Sequence, residues 1–170
     1  MTERTEDASP PTSRRLTVLL SWVHLYGLIG FVIAEIVQIA QHGTDGLHEA
    51  TLLNALVWLI GVNGFVTGSG HLLMPDPIAD SIGWPRQTPW QWEVGVAALG
   101  WGIAGVLCPF FDRPFWLATI IVSSVFLIGA AAGHVRQLVV HHNLSPSNAG
   151  PILYTDVAIP VFVITLYATS

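Results

Sequence analysis

Long apolar runs separated by short polar stretches dominate this chain. Five runs stand out, over residues 16–41, 50–74, 91–108, 115–140 and 151–168. Each is close to the ~20 residues that a helix needs to cross ~30 Å of hydrocarbon. The pattern therefore predicts an all-α integral membrane bundle of five transmembrane helices. The loop HGTDGLHE follows the first run, and Pro75 and Pro77 stop the second. Residues 76–90 (DPIADSIGWPRQTPW) read as a short interfacial segment between helices 2 and 3, with Trp84, Trp90 and Trp92 at the headgroup level. The stretch CPFFDRPFW places a second aromatic group at the opposite interface, and HHNLSPSNAG leads into the fifth run. The first run is too long for a signal peptide, carries His24 and Glu35, and lacks a small-residue cleavage site. Residues 1–15 read as a disordered cytoplasmic tail, and 16–170 as a single transmembrane helical domain.

Composition sharpens the picture. Only 10% of residues are charged, against about 25% in a soluble domain, and mean hydropathy is +0.58. The net charge is -5, lysine is absent, and no basic patch offers a surface to nucleic acid. Cys108 is the only cysteine, so it forms no internal disulfide and reads as a small hydrophobe at a helix end. The arginines set the orientation. With the N-terminus in the cytoplasm, Arg4, Arg14, Arg15, Arg86 and Arg136 fall inside and only Arg113 outside, as the positive-inside rule favours. The C-terminus is then outside the cell membrane.

Ionisable groups within spans are costly, by ~2.5–3.5 kcal/mol each at the centre, and each calls for a partner. His71, Glu93, His134 and Asp156 come from four different helices and fall at about one depth near the cytoplasmic leaflet. His24 joins them from slightly deeper. Asn63, Thr67 and His71 follow i, i+4, i+8 and share one helix face. Ser123, Ala130 and His134 share another, and Glu93 lies below Ala97, Gly100 and Ala104. His24, Glu35, Gln38 and His42 form a stripe on the first helix. Three uses are open. The four groups suit a divalent metal, because imidazole and carboxylate together ligate Zn, Fe or Mn. They suit acid–base catalysis by Glu93, His134, Asp156 and His71 on an apolar substrate that arrives from the bilayer. They also suit structural pairing with one another and with Arg136, Asn63 and Tyr154. No HExxH, HxxxH or CxxC spacing supports the metal, which rests on inferred proximity. His42, Asp45, His48 and Glu49 form a second polar group on the outer side, read first as a solvated loop. The pairs Gly30/Ala34, Gly64/Gly68, Ala98/Gly102 and Gly129/Gly133 predict close helix contacts.

The pieces IADSIGWP (78–85), TPWQWEVG (88–95), FWLATIIVSSVFLIGAAAGH (115–134) and NAGPILYTDVAIP (148–160) resemble an uncharacterised family of small bacterial membrane proteins. The likeness runs from His71 to Pro160 and is less clear in the first helix. It implies the helix layout and no mechanism. In helix count and size the chain is also similar to the DoxX-like membrane proteins, from which a quinone or redox role follows only by analogy.

These features predict a multi-pass membrane protein with a His/carboxylate site near the cytoplasmic leaflet. The site would act on, or bind, a hydrophobic or quinone-like small molecule. The cofactor is unknown, with a divalent metal as the candidate. Glu35, Asn63, Thr67 and His24 would add polar lining. The alternatives are an accessory subunit of a membrane complex, a homo-oligomer, and a small proton or ion carrier with a polar path from His24 through Glu35 to His42.

Overall fold

The computed structural model describes residues 14–22, 25–86 and 89–170. Among these residues every regular element is helical. Five helical stretches are long and apolar enough to cross a membrane: Arg14–His42, Leu47–Leu73, Trp90–Phe110, Arg113–His141 and Pro146–Thr169. The chain is thus an all-α membrane protein of five spanning helices.

The first stretch departs from the expected single helix. It comprises α1 (Arg14–Leu20) and α2 (Leu25–His42), with Ser21 and Trp22 in a turn between them. The Ser21 hydroxyl donates to the Val18 carbonyl at 2.7 Å, a local bond that competes with helix continuation. The second span also has internal structure. It runs through α3 (Leu47–Ala55), a π-helical segment (Leu56–Val62) and α4 (Asn63–Leu73). Pro75 opens the short helix α5 (Pro75–Ile82), where its missing N–H leaves no helical bond unmade. Gly83 ends α5 at φ 75°, in the left-handed region that favours glycine.

The third span is α6 (Trp90–Leu107), ending in a 3₁₀ turn at Cys108. Cys108 is fully buried there, and its carbonyl accepts from Trp116 Nε1 at 2.8 Å. The fourth span is α7 (Arg113–His141). The fifth is α9 (Pro151–Thr169), which starts where expected, and the short helix α8 (Pro146–Ala149) precedes it with Gly150 extended between them.

Lipid offers little hydrophobic drive between helices, so close packing carries the fold. The seam between α4 and α6 is built on glycine. A methyl group on Gly64 would lie 2.5 Å from Gly102 Cα, and one on Gly102 would lie 2.8 Å from the Phe65 nitrogen. Only hydrogen at these positions allows the backbones to approach so closely. Gly61 of the π segment lies likewise against Gly105 and Val106. Elsewhere α7 packs on α9, α2 on the π segment, and α3 on α9, which closes the bundle around Leu56, Ile60, Trp101, Ile120 and Val163. Glu35 couples α2 to α3, accepting from Thr51 Oγ1 at 2.7 Å and Asn54 Nδ2 at 2.8 Å.

Candidate functional site

One end of the bundle is not filled. α1 meets α5 and α8 at this end, and between α4, α6, α7 and α9 lies a cavity of about 890 Å³. Its walls are mainly apolar, with Leu59, Val66, Val94, Ile152 and Ile159 among them. Phe126 of α7 packs on Trp101 of α6 at 5.9 Å between ring centroids, and both line the cavity. Phe65, Leu73, Met74 and Val125 line it too, yet are exposed at the protein surface. The cavity therefore opens sideways through an apolar rim.

Gly129 and Gly133 explain part of the space. A methyl group added to either would meet nothing within 4 Å. The expected close contact at this pair is absent, because these two glycines border the cavity and not a neighbouring helix.

His71, His134 and Asp156 all lie on the cavity wall and all are buried. Asn63 and Thr67 line it with His71, along the stripe their spacing predicts. His134 Nε2 stands 3.9 Å from Asp156 Oδ2, close but beyond a direct hydrogen bond. Asn148 of α8 orients the imidazole. Its Nδ2 donates to the Asn143 carbonyl at 2.9 Å and the His134 carbonyl at 3.3 Å, so its Oδ1 is the acceptor 2.9 Å from His134 Nδ1. The proton of a neutral His134 is therefore on Nδ1, and Nε2 turns its lone pair toward Asp156. Asn143 extends the network, donating to the Ile82 carbonyl at 2.8 Å and fastening α5 to the loop before α8.

Pro160 shapes the other side of the pair. It is fully buried within α9 and has no N–H to offer the carbonyl of Asp156, four residues earlier. Among the described residues no hydrogen bond reaches the Asp156 carboxylate. The hydroxyl of neighbouring Thr155 is spent on the carbonyls of Pro151 and Ile152, at 3.2 and 2.9 Å.

Two indoles separate the histidines. His71 meets Trp90 at 5.4 Å between centroids, Trp90 meets Trp84 at 5.0 Å, and Trp84 meets His134 at 6.0 Å. Among the described residues His71 Nδ1, Trp84 Nε1 and Ser147 Oγ are buried without a hydrogen-bond partner, and all three residues line the cavity. Unpaired polar atoms in such a place call for an explanation.

Residues 10–170 match the family of unknown function DUF6790. The chain belongs to that family. The match takes in the first span, which the sequence ties to the family least clearly. No curated protein and no solved structure matches the chain.

In this DUF6790 chain the remaining candidates fall elsewhere. Glu93 is exposed and does not line the cavity. The buried face of α6 passes through Gln91, Gly95, Ala98, Trp101 and Gly105. Glu93 lies two residues from Gln91, about 200° around the helix, and so faces away from the cavity. Arg136 and Tyr154 are exposed as well. Glu35 stays with Thr51 and Asn54, outside the cavity. His24 lies outside the described residues, as does Arg4. Among the described residues no three His, Cys, Asp or Glu side chains come together as a metal site, neither here nor around His42, Asp45, His48 and Glu49. His48 instead bonds the Leu166 carbonyl at 2.9 Å and Thr169 Oγ1 at 3.2 Å.

Asn148, Ser147, Trp84 and Trp90 escape sequence reasoning. The asparagine lies in what reads as a loop, and the tryptophans read as headgroup anchors. The signal was local: Asn148 stands at the head of the NAGPILYTD stretch, eight residues before Asp156.

Proposed function

We propose that this protein binds an apolar small molecule within the bilayer and holds its polar head at His134 and Asp156. The observation that carries this reading is the cavity itself. Its volume of about 890 Å³ falls in the range of small-molecule sites, its rim is apolar, and its few polar groups converge at one end. Intramembrane ionisable residues mark functional sites by default. His134 Nε2 is the free base of the pair and can take a proton from a bound head group, with Asp156 beside it to stabilise the imidazolium that forms. His71 stands beyond the two indoles as a second polar contact. By the arginine distribution the site faces the cytoplasmic leaflet, with the N-terminus inside and the C-terminus outside.

A quinone-like ring is one neutral occupant of suitable size. A metal at His71 and His134 would need a rearrangement of Trp84 and Trp90, and metal content of the purified protein tests it directly. A role as accessory subunit or homo-oligomer draws support from a different face. On α6, Trp92, Glu93, Val96, Ala97 and Gly100 are exposed together.

The test is to purify the protein in a mild nonionic detergent, extract it with organic solvent, and analyse the extract by mass spectrometry. Beside it goes Gly133→Trp, which fills the cavity. An apolar molecule present in stoichiometric amount in the first sample and lost in the second is the expected result. Identical extracts from both would sink the reading.

A further inference from the structure

From the same cavity we infer the class of its occupant: an amphiphilic amine, whose ammonium group sits between His134 Nε2 and Asp156. This inference rests on the ligand-binding reading above and narrows it.

The first consideration is charge. Among the described residues Asp156 is the only carboxylate on the cavity wall, and no arginine lines it. The chain contains no lysine to supply a cation. An ionised carboxylate within a spanning helix needs a positive partner, and charge buried in protein is otherwise paired. A head group of negative charge would meet repulsion from Asp156.

The second is the balance of donors and acceptors. Asn148 fixes the proton of His134 on Nδ1, so the neutral ring presents a lone pair at Nε2. That lone pair faces a carboxylate oxygen 3.9 Å away. Two acceptors thus look into one gap. A single nitrogen about 2.8 Å from each closes it, if that nitrogen carries at least two hydrogens. A protonated primary amine carries three. A carbonyl oxygen carries none, and an alcohol only one. The Thr155 hydroxyl and the Asn148 amide do not serve, the first being used on its own helix and the second on the His134 and Asn143 carbonyls.

The third is the wall beside the gap. The Trp84 ring lies 6.0 Å from the His134 ring, and Trp90 lies 5.0 Å from Trp84. Indole faces attract cations, more strongly where water is excluded. The apolar rim at Phe65 and Val125 then suits a hydrocarbon tail reaching toward lipid.

The experiment compares three probes of equal chain length, dodecylamine, 1-dodecanol and dodecanoate, on the full chain in nonionic detergent. Binding is read by tryptophan fluorescence and by the shift in melting temperature. The expected result is that the amine binds at least about tenfold more tightly than the alcohol, as a charge-assisted hydrogen bond should provide, and that dodecanoate binds least. Asp156→Asn should remove that preference, bringing the amine down by about tenfold to the affinity of the alcohol. Equal or tighter binding of the alcohol or of dodecanoate by the wild-type chain overturns the amine and leaves the cavity reading in place. No probe distinguishing wild type from Gly133→Trp overturns both. If Asp156→Asn does not fold, the wild-type ranking of the three probes still decides.

Discussion

Gly64 and Gly68 on α4, and Gly129 and Gly133 on α7, share one spacing in the sequence and play opposite parts in the fold. The first pair is pressed against the backbone of α6, so that a methyl group at Gly68 would lie 2.8 Å from the Gly95 carbonyl oxygen. The second pair faces open space. In one place the missing side chain brings two helices together, and in the other it keeps a cavity from being filled. A small residue in a membrane helix is therefore a statement about room, and only the neighbouring helix tells whether the room is occupied.

Four substitutions test that contrast. The largest effect belongs to Gly102→Val. Its side chain would have to displace the Phe65 and Gly64 backbone, and overpacking of this kind costs about 1–3 kcal/mol or more. A clear fall in melting temperature in detergent is expected, and a fold that tolerates the change would deny the tight seam. Next comes Asn148→Ala, which removes the amide that bonds His134 Nδ1 and two carbonyls. A loss of about 1–3 kcal/mol is expected from the buried groups left unpaired. The imidazole tautomer, read by nitrogen chemical shifts, should also lose its fixed form. Glu35→Gln should cost less, about 0.6 kcal/mol, the average for a hydrogen bond between membrane helices. It should leave ligand binding untouched, because Glu35 is outside the cavity; a change in binding would restore the polar path along the first span. Smallest of all is Gly133→Ala, expected to leave stability unchanged or raise it by no more than about 1 kcal/mol. If Gly133→Ala destabilised the protein as Gly102→Val should, the two glycine pairs would not differ as described.

The five spans are legible in the sequence because the physics that selects them is local. A helix must bond its own backbone and present apolar side chains wherever it meets lipid. His71, His134 and Asp156 are legible as candidates for the same reason, since each stands out in an apolar run. What the sequence hides depends on angle and neighbourhood. The depth of Glu93 can be counted from the end of its helix, but its face depends on which side of α6 the glycines turn toward α4. The role of Asn148 depends on a short helix, α8, whose four residues carry no periodicity of their own. Trp84 and Trp90 satisfy an interfacial pattern whether they point to headgroups or line a cavity. The turn at Ser21 and Trp22 and the π segment leave no hydropathy trace, because apolar residues suit either backbone.

The π segment has a consequence for the whole wall of the cavity. Its wider turns take up more residues than an α-helix would over the same height, and they come directly before Asn63. Each residue advances an α-helix by about 100°, so removing one from Leu56–Val62 would rotate all of α4 by that amount relative to α3. Asn63, Thr67 and His71 would turn away together, though none had been changed. The segment thus works as a phase setting for α4, and it fixes from a distance which side of that helix the cavity sees.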